Sequence, residues 1–313
     1  MERPKLTSFW KHWPVFDQEA QKLALKSIEF QERHKCDFVK ITPAGTWLAV
    51  CYGVADENWK EDPFGRRRIT KTLIQDSADW LRIVDFSVNI PALMQEIIGS
   101  CKKIAEHNFS EPIVFTMFNP ISQAIQLAGL DVFKEHCKVD PERVLAGIEM
   151  ITKNSLFVIK EFLKAGASGI FYVTQHMQKA LLTPELYRVF GEESDKKCLA
   201  FCHNLPISIF HIHGDNIFLS LRELPENCMI HYCHSSDNMQ PNDFFRKYNH
   251  HLMLGIPVSR MMECVSIRQI RECVQFYREL NPIFNGTTAG CVLPLDFSDE
   301  QLSQWMNEIK NLS

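Results

Sequence analysis

Residues 141–173 have the sequence PERVLAGIEMITKNSLFVIKEFLKAGASGIFYV, which predicts a helix followed by a strand. Proline at 141 suits the first turn of a helix, and apolar residues recur at helical spacing up to Lys164, after which a glycine follows. The short apolar run Ser168–Val173 is typical of a buried strand, as is the earlier run Pro112–Phe118. A strand, a helix and a strand in this order indicate parallel strands joined by a helical crossover.

The same alternation extends along the whole chain. The eight predicted strands are Ser8–Trp13, Cys36–Ile41, Pro112–Phe118, Ser168–Val173, Pro206–His211, Cys228–Tyr232, His251–Leu254 and Pro282–Asn285. The predicted helices are Gln18–His34, Pro141–Lys164, Pro184–Cys202, Val265–Leu280 and Ser298–Ile309. Eight such strands predict an α/β fold of the closed (β/α)8, or TIM, barrel class. The polar stretch Asp56–Arg68 predicts a long loop over the barrel mouth, and the absence of repeats or linkers indicates a single domain, residues 1–313.

Composition excludes several classes of function. The net charge is −4 and no long Lys/Arg stripe is present, so nucleic acid is not expected as a partner; Arg66-Arg67-Arg68 is interpreted as a solvated loop. No run reaches the ~18 apolar residues that would span a membrane. The 11 cysteines contain no CxxC pair, and the first residues lack the apolar core of a signal peptide. Reduced thiols in the cytoplasm are therefore expected.

The sharpest chemical signal is His211-Ile212-His213, at the end of the fifth predicted strand. Because a strand directs every second side chain to one face, the two imidazoles project together. With a thiolate from elsewhere, they would form a set of two nitrogens and one sulfur. Three protein ligands with one open position are typical of a catalytic zinc. The alternative for an isolated His-x-His is a pair of hydrogen-bonded core residues.

Active sites of (β/α)8 barrels lie at the carboxyl ends of the strands, where distant residues converge. Cys291 directly follows the eighth predicted strand and is expected to be the third metal ligand, the alternative being a buried, inert thiol. Candidate catalytic residues are Gln175 and His176 after the fourth strand and Asp215 after the histidines. Asp215 either orients an imidazole or caps a helix that begins near Asn216.

Two further residues are candidates for cofactor binding: Lys40 at the end of the second strand and Asn119 after the third. The pair His231-x-x-His234, beyond the sixth strand, is an alternative source of a fourth metal ligand. Trp10, Trp13, Trp47 and Tyr52 either line an apolar funnel or belong to the core.

Three segments resemble the uroporphyrinogen decarboxylase superfamily, which includes zinc-dependent methyltransferases that act with corrinoid proteins. Asp37–Pro43 is similar to the second strand of that family, and Ala165–Gln175 is similar to its fourth strand and following loop. Asn285–Pro294, followed by Ser298–Leu302, resembles the closing strand, turn and helix. The resemblance covers nearly the full length of the chain and implies the barrel fold.

Two differences from the family's motifs bear on which branch of the family this sequence resembles. The decarboxylases carry an Asp that holds pyrrole nitrogens, and Lys40 stands at that position here; an ammonium cannot accept hydrogen bonds from pyrrole N–H groups. The first-strand region also lacks the paired arginines expected to bind propionates. The methyltransferases carry His-x-Cys and a distant Cys in a Gly-Cys context. Here His211 and Cys291 match that pattern, whereas His213 stands where the family has Cys.

The resemblance therefore implies a zinc-dependent methyltransferase that moves a methyl group from a corrinoid protein to a thiol or similar acceptor. The corrinoid would be carried by a partner protein, because the chain has no Asp-x-His-x-x-Gly motif. A small-molecule substrate is expected, and homodimerisation is left open. The alternatives are a decarboxylase-like lyase acting on a carboxylated tetrapyrrole or small acid, and an inactive barrel that keeps a ligand pocket.

Overall fold

The computed structural model describes residues 6–221, 224–235, 237–248, 250–280 and 284–311, with the backbone alone at 284 and 285. Seven strands form one parallel sheet that curls on itself: β1 (Val39–Ile41), β4 (Ile113–Phe118), β5 (Gly169–Thr174), β6 (Ile207–Ile212), β7 (Cys228–Cys233), β8 (Leu252–Ile256) and β9 (Phe284–Ala289), in that spatial order. They overlap seven predicted strands, which confirms the parallel α/β class. Pro282, where the last predicted strand begins, lies outside the described residues.

Side chains alternate across this sheet because successive residues of a strand point to opposite faces. In β6, Ile207 and Ile209 pack inward with residues of the other strands, whereas Phe210 and Ile212 pack outward against the helices. His211 follows the inward pattern, which directs its imidazole to the concave side of the sheet.

Helices cover the outer face of the sheet. They are α1 (Ala20–His34), α2 (Trp47–Tyr52), α3 (Ala92–Glu106), α4 (Pro120–Ala128), α5 (Leu130–Val139), α6 (Pro141–Lys164), α7 (Pro184–Phe190), α8 (Glu192–Ala200), α9 (Pro241–Tyr248), α10 (Val258–Glu263), α11 (Ile267–Leu280) and α12 (Asp299–Asn311). The bounds of α6 are those predicted. In the described part of the chain, none of these helices is long and apolar enough to cross a membrane.

The predicted helix Pro184–Cys202 is wrong as one helix, because α7 ends at Phe190 and α8 begins at Glu192, with Gly191 between them. The break brings the carboxylate of Asp195 to the hydroxyl groups of Tyr172 and Tyr187, which donate to it at 2.7 and 2.5 Å. These hydrogen bonds partly compensate the cost of burying the carboxylate, whose pKa burial still raises to about 6.

The predicted first strand, Ser8–Trp13, is also wrong: the structure assigns no strand there. Instead, Leu6 forms a single parallel bridge with Gly286 of β9, and the N–H of Asp37 donates to the carbonyl of Thr7 at 2.9 Å. Gly286 has φ of 154°, and a Cβ there would collide with the Leu6 carbonyl. The segment from Leu6 to Thr7 therefore lies between the two edge strands of the sheet.

The long loop predicted at Asp56–Arg68 is a hairpin. Its antiparallel strands are β2 (Ala55–Asn58) and β3 (Arg67–Lys71), and Arg67 forms a bidentate ion pair with Asp56 at 2.7 and 2.8 Å. Opposite charges on the two facing strands form ion pairs and so stabilise the hairpin. A prediction based only on the polarity of the residues does not anticipate this pairing.

Candidate metal centre

The carboxyl ends of β6 and β9 bring His211, His213 and Cys291 together. The N–H of His213 donates to the carbonyl of Thr174 at the end of β5 (2.9 Å), and Gly214 then turns the chain with φ of 96°. Cys291 follows β9, and its Sγ lies 3.6 Å from Nδ1 of His213. One donor atom of each of the three side chains lies within 4.8 Å of the other two.

His231 determines which nitrogen of His211 is available to a metal. The two residues are neighbours in the register of β6 and β7, and their Nδ1 atoms lie 2.6 Å apart. Nε2 of His231 lies 3.2 Å from the carbonyl oxygen of Ala289, which can only accept a hydrogen bond. His231 therefore carries its proton on Nε2 and accepts at Nδ1, so Nδ1 of His211 is the donor. This leaves the lone pair of Nε2 of His211 free.

Burial keeps both of these imidazoles neutral. It lowers the pKa of His211 well below its ordinary value, with the neighbouring His231 adding to the effect, and it lowers the pKa of His231 to about 3. Neutral imidazole is the form that binds metals. Because both nitrogens of His231 are engaged, this residue has no lone pair left to act as the fourth ligand considered from the sequence.

His213 and Cys291 shift each other's pKa values. Burial alone would raise the pKa of the Cys291 thiol, but His213, a hydrogen bond from the backbone of Val292 and Lys40 together lower it further than burial raises it. For His213, burial lowers the pKa, and the facing Cys291 more than offsets this, so that the net shift is upward. The pair thus favours a thiolate, the form of cysteine that ligates metals.

A cavity of about 340 Å³ opens beside the three side chains, and we call it the inner cavity. Its apolar wall is mainly aromatic and includes Trp10, Trp47, Phe118 and Phe171. Its basic side chains are Lys40, Arg66 and Arg67. All three candidate ligands line it, so a molecule bound there would reach the atoms that could hold a metal.

A second cavity of about 350 Å³, the outer cavity, reaches two of the three candidate ligands, His213 and Cys291. It is lined by Asp215, His234 and Ser259, and it shares Arg66, His213, Cys291 and Val292 with the inner cavity. The candidate metal centre therefore lies in the wall between two cavities.

Only some of the other predicted site residues lie at the inner cavity. Lys40 and Gln175 line the inner cavity. His176 lies behind it, with Nδ1 3.1 Å from Oγ of Ser122, and burial lowers its pKa to about 4. Asp215 is exposed and accepts from Oγ of Ser235 at 3.0 Å rather than from an imidazole. The helix considered near Asn216 is absent from the described residues.

Asn119 lies apart from both cavities as they are described. It is fully buried at the N-terminus of α4, where its side-chain oxygen accepts from the N–H of Ser122. Its Nδ2 donates to the hydroxyl of Tyr187 and to Asp195 at 2.7 and 2.9 Å. These bonds use the side chain to cap a helix and to compensate a buried carboxylate. Of the four aromatic residues considered for a funnel, Trp10 and Trp47 line the inner cavity, and Trp13 and Tyr52 do not.

Sequence reasoning missed Arg66, Arg67 and His12 as cavity residues. The sequence predicts a solvated run for all three arginines, and the side chains of Arg66 and Arg68 are 47% and 59% exposed, but Arg66 and Arg67 also line the cavity. The spacing of Asp62 and Arg66, four residues apart, was a usable signal, since Arg66 donates to both carboxylate oxygens of Asp62. No local signal distinguishes His12 from other histidines.

Comparisons with known proteins agree with this architecture. The model of the family described as uroporphyrinogen decarboxylase (URO-D) matches residues 12–307. A methyltransferase from Methanosarcina mazei superposes with a TM-score of 0.78 at 14% identity, covering 100% of this chain and 95% of that chain. A B12-independent methionine synthase from Shewanella sp. W3-18-1, in complex with selenomethionine, superposes with a TM-score of 0.61 at 11% identity, covering 100% of this chain and 97% of that chain. Such identities establish a shared fold. No curated protein matches the sequence.

Proposed function

Since the chain belongs to the uroporphyrinogen decarboxylase family, we propose that it is a zinc-dependent enzyme of the methyltransferase branch. It would move a methyl group from a corrinoid protein to a thiol or a similar acceptor. The observation that carries this proposal is the convergence of two imidazoles and one thiol beside a cavity, at the carboxyl ends of the strands. The shared fold with a methyltransferase and a methionine synthase supports the same branch.

The donor set fits zinc. Two nitrogens and one sulfur leave a tetrahedral ion one open position, as catalytic zinc requires. His211 would bind through Nε2, because its Nδ1 donates to His231. A zinc ion held there would lower the pKa of an acceptor thiol and orient it for reaction.

The chain's own residues serve the two substrates from two sides. We infer that the acceptor occupies the inner cavity, where Gln175 lines the wall, and that the methyl donor approaches through the outer cavity, beside Asp215. His176 would act indirectly, because it holds Ser122, whose hydroxyl accepts from the backbone N–H of Gln175 at 3.1 Å. Holding two reactants in fixed positions lowers the entropic part of the barrier.

The proposal includes the closed barrel, with the whole chain, residues 1–313, as one domain. Leu6 is bonded to β9, and Thr7 is bonded to Asp37, just before β1. These bonds support a barrel in which this segment takes the place of an eighth strand. All 11 cysteines are unpaired, in agreement with the proposed cytoplasmic location.

The decisive experiment measures zinc and methyl transfer together. We expect the full chain, purified without chelators, to contain stoichiometric zinc by plasma mass spectrometry. It should methylate 2-mercaptoethanol with methylcobalamin as donor. Cys291→Ala should lose most of the zinc and the activity, whereas the control Cys137→Ala, which removes a thiol of α5 that lines neither cavity, should keep both.

Other outcomes would point elsewhere. A metal-free protein that binds a porphyrin would favour the decarboxylase-like lyase, and one that binds no small molecule would favour an inactive barrel. Absence of zinc, with Cys291→Ala indistinguishable from the parent protein, would refute the methyltransferase proposal.

A further inference from the structure

The inner cavity has an unbalanced charge. Three basic side chains line it, and no carboxylate of the described residues does. Two of the three are already compensated, because Arg66 pairs with Asp62 at 2.5 Å and Arg67 pairs with Asp56 at 2.7 Å, from outside the cavity wall. The remaining cation is Lys40.

Lys40 is buried without a carboxylate partner, and burial lowers its pKa to about 7, although the charge of Cys291 opposes this shift. Its side chain is directed into the cavity from β1, and the residue is 9% exposed. Nζ donates to Oγ1 of Thr116 at 2.8 Å and lies 3.3 Å from Oγ1 of Thr42. It also lies over the rings of Trp10 and Phe171, 4.7 and 4.4 Å from their centroids. Within the described residues it has no ion pair, although an ammonium has three donors and a buried charge is costly without a partner.

Another polar group of the same wall lacks a partner. Trp47 is 1% exposed, and its Nε1–H has no acceptor among the described residues. An indole N–H can only donate, so a ligand that satisfied it would have to offer an acceptor. A carboxylate in the cavity would stabilise the charged form of Lys40, and the indole N–H of Trp47 needs an acceptor as well.

We propose that the inner cavity binds a small organic acid whose carboxylate pairs with Lys40 while its hydrocarbon part lies against the aromatic wall. The volume of about 340 Å³ is near the lower end of the range of small-molecule pockets, about 300–1,000 Å³, and favours a short ligand over a tetrapyrrole. The identification of this acid as a methyl acceptor rests on the proposed function: the acceptor would be a carboxylated thiol. The binding of an acid at Lys40 does not depend on that reaction.

Calorimetric titration of the full, zinc-containing chain tests the proposal with two thiols of equal length, 3-mercaptopropionate and the uncharged 3-mercaptopropanol. We expect the acid to bind at least about tenfold more tightly, the usual scale of a hydrogen bond to a charged group. Lys40→Gln should abolish this preference, Lys40→Arg should restore part of it, and the exposed control Lys102→Gln should leave it unchanged.

Propionate, which has no thiol, separates this proposal from the function. If Cys291→Ala loses the metal but still binds propionate in a manner that requires Lys40, the acid site stands whatever the fate of methyl transfer. Equal affinity of the parent protein for the two thiols would overturn the acid site, and this comparison needs no variant. A preference that survives in folded Lys40→Gln would overturn it as well.

Discussion

At the scale of single residues, the bond between His211 and His231 fixes the chemistry of the candidate metal centre. The carbonyl of Ala289 forces the proton of His231 onto Nε2, and this in turn forces the proton of His211 onto Nδ1. A ligating histidine commonly donates its second N–H to a neighbouring group, which holds the ring and sets the tautomer. Here that neighbour is a second histidine on the adjacent strand.

We predict that His231→Ala weakens zinc binding by about 10–100-fold, the range found when such supporting groups are removed. The reason is that Nδ1 of His211 loses its acceptor and the ring loses its orientation. Competition with a chromogenic chelator measures the affinity. His231→Gln, which can keep an acceptor in place, should recover part of it, and the exposed His203→Ala serves as the control. An unchanged affinity in folded His231→Ala would contradict the assigned hydrogen-bond chain.

At the scale of elements, the hairpin of β2 and β3 brings charged side chains to both cavities. Its turn is held by Asp62, whose carboxylate accepts from the backbone N–H and the guanidinium of Arg66 at 2.5 to 3.1 Å. These bonds lower the pKa of Asp62 although burial opposes them. Arg66 in turn lies over the rings of Trp59 and Phe64.

Asp62→Asn should therefore loosen this hairpin. We expect trypsin to cleave the native protein after Arg66, Arg67 or Arg68 several-fold faster in this variant, because local opening controls proteolysis. A time course followed by mass spectrometry locates the cut. Asp243→Asn, which removes an exposed ion pair with Arg246, is the control. Equal cleavage rates would show that the Asp62 bonds do not hold the turn.

At the scale of the whole molecule, buried histidines couple stability to pH. Burial lowers the pKa of His34 and His176 to about 4 and that of His231 to about 3. Below pH 6.5 the unfolded chain binds protons at these residues and the folded chain does not, so stability falls as the pH falls towards 4. Burial also raises the pKa of Asp17 and Asp195 to about 6, which acts in the opposite direction over part of this window.

Histidines outnumber the opposing carboxylates, so a net loss of stability on acidification is expected. We predict that the free energy of unfolding of the chelator-treated protein decreases from pH 6.5 to 4.5, as measured by urea denaturation. His176→Gln should flatten this slope by at most about 1.4 kcal/mol per pH unit. The exposed His203→Gln should leave it unchanged. A slope that is identical in the parent protein and in His176→Gln would refute the assignment of a half-buried His176 that stays neutral in the folded protein.

Prediction from sequence succeeded where the signal was local and regular. The helix Pro141–Lys164 has a proline at its start and sustained periodicity, and its predicted bounds match α6. It failed where a distant partner decided the outcome. Ser8–Trp13 has the composition of a strand, but pairing with β9 occurs at Leu6 instead. The polar stretch Asp56–Arg68 was predicted to be a loop, but it forms a hairpin. Its ion pairs join residues that face each other across the two strands, and composition does not reveal which residues face each other.

The sequence by itself determined the alternation of strands and helices, and with it the parallel sheet and the ends at which His211, His213 and Cys291 lie. Strand and helix periods are properties of neighbouring residues, so they can be deduced along the chain. Only the tertiary structure decided that His231 supports His211, that Arg66 and Arg67 have partners, and that Lys40 has none. These facts depend on strand register and loop position, which bring together side chains that are far apart in the chain.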